Sequence, residues 1–282
     1  MAARLQILLV APALIAACFA LAFHSTLSGL FNAWAGSEDY SHGFLIIPIS
    51  LYLIWRKRQE LATLKIYSSK SGLAIIVISL FLYLFSKLGG ISTLASLAMV
   101  FTIWGIVVYL YGYEVTKRLA FPLFFLFFMI PIPSQIYASL TIPLQLLVTK
   151  ISTTVLAFTG MPVHAEGNLV LLPNNKLQVV NACSGLRSMI SILTLSALFG
   201  HLMLNSFWSK LCLLLSGIPI SIFVNIIRIV LLAFLSHFFT MDISSEPFHS
   251  LMGVTIFIFA FIFIFAFKSL LSWTEKTMSS GL

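Results

Sequence analysis

The sequence predicts an all-α polytopic membrane protein, and three observations predict it. Hydrophobic residues make up 60% of the 282 and charged residues only 9%, against roughly 25% charged in a soluble domain. Apolar runs long enough to approach the ~20 residues that a membrane-spanning helix needs recur along the chain. The basic residues fall in the short segments between those runs, and alternate loops carry most of them. A net charge of +8 raises nucleic acid as a partner, but no basic face or folded module gathers these residues. A positive-inside bias accounts for them, with the lipid bilayer as partner and no nucleic acid. The chain reads as one integral membrane domain over 1–282.

Taken in order, the runs predict about eight transmembrane helices near 5–23, 43–55, 72–86, 91–111, 119–137, 184–204, 211–238 and 248–272. The second and third are short and need flanking residues, such as Tyr40–His42, to cross. Arg4, Arg56-Lys57-Arg58, Lys65, Lys70, Lys117-Arg118, Lys210, Lys268 and Lys276 fall on one side of this arrangement. Glu38, Asp39, Glu166, Asp242 and Glu246 fall on the other, where only Lys87, Lys150 and Lys176 offset them. The first side is expected to be cytoplasmic, with both termini inside.

Residues 139–159 fit this count poorly, because Gln145, Lys150 and Ser152-Thr153-Thr154 interrupt the run. They are expected to form an interfacial or re-entrant helix on the outer side, entered through Pro131-Ile-Pro133. The outer loop 161–182 follows. Asn168-Leu-Val-Leu-Leu172 and Leu177-Gln-Val-Val180 flank the turn cluster Pro173-Asn-Asn-Lys176, the pattern of a small extracytoplasmic β-hairpin.

The chemistry gathers behind that hairpin. Asn181-Ala-Cys-Ser-Gly-Leu-Arg-Ser188 places Cys183 at the start of an apolar helix, among residues that favour helix starts and turns. Unpaired amides and the dipole at a helix N-terminus stabilise a thiolate and make the thiol nucleophilic. The bland alternative is a small residue filling a helix junction. Cys18 and Cys212 lie within apolar runs and read as small hydrophobes. Ile15-Ala-Ala-Cys18 also resembles a lipoprotein cleavage box, but the run continues to Phe23 as in a signal-anchor helix. Three scattered cysteines make neither a disulfide framework nor a zinc site.

Arg228 lies late in the seventh span. An intramembrane arginine costs at least about 2.5–3.5 kcal/mol on insertion scales, which makes it a functional residue by default. Snorkelling, or pairing with Asp242 or Glu246, is the alternative. Asn225 sits one turn earlier on the same face and is placed to orient the guanidinium. His249 opens the last span after Ser244-Ser-Glu-Pro247, a helix-start pattern. A helix N-terminus disfavours imidazolium, so a neutral His249 is suited to accept or relay a proton; a lone interfacial histidine is otherwise incidental. His42 is expected on the outer side, where it would line the same cavity. Arg187, one turn after Cys183, is a second supporting candidate, with Glu246 or a lipid phosphate as its other partners. No P-loop, GxGxxG, HExxH or CxxC occurs, so no cofactor and no metal are expected.

Four segments together resemble the exosortases, the bacterial branch of the exosortase/archaeosortase family of membrane cysteine transpeptidases. They are Tyr40-Ser-His-Gly-Phe-Leu-Ile-Ile-Pro48, Ala182-Cys-Ser-Gly-Leu-Arg-Ser188, Asn225-Ile-Ile-Arg-Ile229 and His249-Ser-Leu-Met-Gly253, in family order. The resemblance implies catalytic roles for Cys183, Arg228 and His249. It implies partners that are membrane-anchored exported proteins with a C-terminal sorting signal of the Pro-Glu-Pro type, cut outside the bacterial cytoplasmic membrane and joined to an acceptor nucleophile that the sequence leaves unknown. The three residues are expected to converge in one outer cavity roofed by the hairpin. Two other readings stand beside it. One is a non-catalytic component of polysaccharide export, with Arg228 binding a lipid-linked phosphate. The other is a small-molecule transporter, which would need inverted repeats and paired broken helices; Pro219 has no counterpart in the first half.

Overall fold

The computed structural model describes residues 14–172, 176–178, 186–239 and 248–280, with side chains at 14–172, 188–237 and 253–277. The chain forms two compact units, 1–132 and 133–282.

In the first unit, α1 (Leu14–Ala22) and α2 (His24–Gly36) meet at a bend of 68° about Phe23. The expected first span thus ends where predicted, with residues 5–13 outside the described region. The helix α2 was not predicted, because His24, Ser25, Thr26 and Ser28 dilute its apolar run. The helix α3 covers Gly43–Arg56, and residues 38–42 form a turn, so Tyr40–His42 do not lengthen it. A short α4 (Arg58–Thr63) leads to α5 (Lys70–Leu88) and α6 (Ser92–Arg118), which pack closely as a helical hairpin. Glycine permits that closeness: a Cβ on Gly72 would overlap the backbone of Tyr109, and one on Gly112, at φ +81°, would overlap the Tyr67 carbonyl. The span expected at 119–137 is broken. It becomes α7 (Ala120–Phe125) and a 3₁₀ turn (Leu126–Met129), then an extended Ile130 between that turn and Pro131 and Pro133. Two prolines separated by a single residue, each lacking an N–H and biasing its predecessor to extended backbone, stop the helix.

Hydrogen bonds set the two ends of this unit. At one end the carbonyls of Phe128, Met129, Pro131 and Ile132 meet His42, Trp34, Thr93 and Tyr40. At the other, Lys57 donates to the Arg118 carbonyl at 2.7 Å and Arg118 pairs with Glu60 at 2.7 Å. The basic segments around 56–58 and 117–118 therefore share one end, as the charge pattern predicted.

The second unit begins with α8 (Ser134–Phe158), one 25-residue helix entered straight after Pro133. It is long and apolar enough to cross a membrane, unlike the interfacial or re-entrant piece expected at 139–159. Its polar residues mislead a hydropathy reading because Thr141, Gln145, Thr149, Ser152 and Thr153 are buried in protein. Thr141 and Thr153 hydroxyls donate back to the carbonyls of Tyr137 and Thr149. The hairpin expected within 161–182 is present: β2 (Leu169–Leu171) pairs antiparallel with β3 (Lys176–Gln178), and β1 (His164–Glu166) adds a third strand beyond β2. Then come α9 (Leu186–Met203), α10 (Phe207–Phe239) and α11 (Phe248–Ser280). Backbone amides of Asn205 and Ser206 donate to the Glu275 carboxylate, which ties the α9–α10 turn to the far end of α11.

Among the described residues, α5, α6, α8, α10 and α11 are long and apolar enough to span, and the bent α1–α2 pair would make six. The helices α3 and α9, and the α7–3₁₀ segment, are shorter apolar elements.

Candidate active site

The site is built on α10. Its apolar length gives it no stability of its own in water, but among helices it can bury a polar stripe. Ser221, Asn225 and Arg228 follow at four and three residues and so share one face. All are buried: Asn225 is 2% exposed and Arg228 7%. A guanidinium carries five donors and no acceptor and is always charged. Holding one inside an apolar unit is costly unless it meets a developing negative charge or a fixed partner.

Ile229, the next residue, packs in a cluster with Ala233 of α10, Val148 and Leu156 of α8, and Met161, Val170 and Leu172 around the sheet. The middle strand is thus pinned beside the turn of α10 that carries Arg228. On the other side α10 packs on α9 and α11 through Ile192, Leu213, Val224, Ile256 and Ala260. Arg228 therefore sits in a helix flanked by the elements that carry or follow the other candidates. Cys183 and Asn181 lie outside the described residues; Cys183 precedes the first residue of α9 by three positions. Arg187 and His249 fall in the first turns of α9 and α11, with side chains outside the description. Cys18 and Cys212 are free thiols on exposed faces of α1 and α10.

His42 belongs to the first unit. Its Nε2 lies 3.1 Å from the Phe128 carbonyl, so that nitrogen carries the proton. Burial pushes its pKa below the ordinary 6.5, and the carbonyl contact offsets this in part. Beside it the Trp34 Nε1 donates to the Met129 carbonyl at 2.9 Å, and a Cβ on Gly43 would strike the Trp34 indole. The segment Tyr40-Ser-His-Gly43 is thereby a clamp on the 3₁₀ turn. The sequence showed the motif but not this use, because the carbonyls it holds are more than 80 residues away. The buried polar stripe of Gln145, Thr149 and Ser152 on α8 was also missed; its spacing of four and three was the available signal.

The transmembrane exosortase family model matches residues 34–266, which takes in all four motif segments and most of both units. The chain belongs to the exosortase family. No curated protein and no solved structure matches it. As an exosortase-family membrane protein it carries Cys183, Asn225 with Arg228, and His249 within the matched span, and His42 near its start. Among the described residues no three His, Cys, Asp or Glu side chains group as metal ligands would.

Proposed function

We propose that this exosortase-family protein is a membrane-embedded cysteine protease or transpeptidase. It acts on exported proteins held by a C-terminal membrane anchor, at the outer face of a bacterial cytoplasmic membrane. The observation that carries the reading is the burial of Arg228 and Asn225 on one face of α10, beside Ile229, which packs on Val170 of the middle strand β2.

The Cys183 thiolate attacks a peptide carbonyl beside the substrate's anchor. The carbonyl electron pair moves onto oxygen, and Arg228 stabilises that oxyanion. His249, holding the proton it took from the Cys183 thiol, gives it to the leaving amine as the C–N bond breaks, and a thioester remains on Cys183. The neutral imidazole then takes a proton from the acceptor, water or an amine or hydroxyl nucleophile, which attacks the thioester; the C–S bond breaks and the Cys183 thiolate leaves. Asn225, Arg187 and His42 are supporting residues; Asn225 is a positioning residue for the guanidinium.

About eight crossings, with both termini and the 56–70, 113–118 and 205–210 segments cytoplasmic and with α8, although long enough to cross, not one of them, put 161–182 on the outer side. The gathering of Lys57 and Arg118 at one end of the first unit supports this sidedness. Co-expression with a substrate bearing a sorting signal, followed by mass spectrometry of its new C-terminus, tests the reading by reporting cleavage position and attached group together.

A further inference from the structure

Two hydroxyls in the second unit are out of keeping with the helix that carries them. Helix α8 holds seven serines and threonines, and five of them bond within it. Ser134 donates to the Gln135 side chain, and Ser139, Thr141, Thr153 and Thr154 donate to carbonyls three or four residues back. Thr149 and Ser152 do neither. Both are 0% exposed, and among the described residues neither hydroxyl oxygen makes a hydrogen bond. A buried hydroxyl without a partner costs stability, and such groups are rare enough in folded proteins that each calls for a reason.

Packing turns them toward α10. Ser152 lies four residues after Val148 and four before Leu156, so it shares their face of α8, with Thr149 beside it. Val148 and Leu156 belong to one core cluster with Ile222 and Ile229 of α10. Asn225 is three residues after Ile222 and four before Ile229, which puts it on the α10 face that meets α8. It is buried, and the buried Arg228 follows it by one turn. Ser221, the remaining polar residue of that stripe, already donates to the Ile218 carbonyl at 2.7 Å.

We propose that Thr149 and Ser152 are positioning residues for the reaction proposed above, on which this inference rests. They accept hydrogen bonds from the Asn225 amide once substrate is seated, and Asn225 in turn fixes the Arg228 guanidinium against the oxyanion. A carboxamide suits this place in a relay. It has two N–H donors and one oxygen acceptor, so it can give to a hydroxyl on one side and take from a guanidinium on the other. Catalytic hydrogen bonds are often long in a substrate-free protein and shorten in the complex, which accounts for two oxygens without a donor here.

The test compares stability with cleavage in the same variants. Thr149→Val and Ser152→Ala each remove an oxygen that bonds nothing in the substrate-free protein, so each should melt no lower than the wild type in detergent. With a co-expressed, anchored sorting-signal substrate, each should cleave about tenfold more slowly, the scale of one lost hydrogen bond. Thr149→Ser should keep the wild-type rate. In an Asn225→Ala background Thr149→Val should add no further loss, because the route through Asn225 is already cut. Thr141→Val, whose hydroxyl serves its own helix, should cleave as the wild type does. Wild-type rates in Thr149→Val and Ser152→Ala, slowing only in step with a lower melting temperature, or a loss that adds in full to that of Asn225→Ala would overturn this inference alone. A wild type that leaves the substrate whole would overturn the proposed reaction and this inference with it.

Discussion

Val170 and Ile229 are both 0% exposed within one cluster, so the central strand of the sheet is bolted to the turn of α10 that holds Arg228. The link matters because β3 continues toward Cys183 in sequence. A shift in the sheet would move the segment that carries the thiol relative to the guanidinium.

Loosening this contact should damage both stability and processing. Truncating a buried isoleucine costs about 2–5 kcal/mol, so Ile229→Ala should lower the melting temperature of the detergent-solubilised protein and slow substrate cleavage. Ile229→Val, at about 0.5–1.5 kcal/mol, should do little to either. A cleavage rate in Ile229→Ala equal to wild type would separate the sheet from the site.

The α5–α6 hairpin should tolerate no side chain at Gly72. A Cβ there meets backbone atoms of Tyr109 and Gly105, which cannot rotate away as a side chain would. Overpacking costs about 1–3 kcal/mol, so Gly72→Ala should melt earlier and Gly72→Val should fail to accumulate. Gly29→Ala, with open space at its Cβ, is the control expected to behave as wild type.

The His42 clamp should make stability fall in mild acid. Burial holds the His42 pKa below its ordinary 6.5, so below about that pH the unfolded chain binds the proton more readily than the folded one. Stability therefore rises with pH through this window and is lost as pH falls through the folded pKa. Melting temperatures measured from pH 7.5 to 5 should drop for the wild type, and His42→Gln should flatten this component. Parallel curves for the two proteins would remove His42 as its source.

Sidedness is open to labelling. A single cysteine introduced in place of Arg56 should be protected from an impermeant maleimide on intact cells, and one in place of Asn174 should react. The reverse pattern would overturn the orientation and put the 161–182 segment where exported substrates are absent.

Much of this was legible because hydropathy and charge act locally. The helices α5, α6, α10 and α11 and the hairpin around Pro173 follow from composition within one segment. The broken 119–137 run shows where a window average fails, since its two prolines end a helix that the surrounding phenylalanines would extend. The α8 helix fails for the opposite reason. Gln145, Thr149 and Ser152 look unsuited to lipid, yet they face protein, and only tertiary packing decides which they meet. The His42 clamp was invisible because it joins residues brought together by the folding of three or more elements.

The claim at the centre is nucleophilic catalysis by Cys183 with Arg228 as oxyanion donor, and one measurement tests it most directly. Cleavage of a co-expressed, anchored sorting-signal substrate is followed by mass in cells carrying wild type, Cys183→Ala or Arg228→Lys. Cys183→Ala should leave the substrate whole. Arg228→Lys should cut it about 10²–10³-fold more slowly, the loss typical of a removed oxyanion donor. A processed C-terminus in the Cys183→Ala cells, at the wild-type position and rate, would contradict the account.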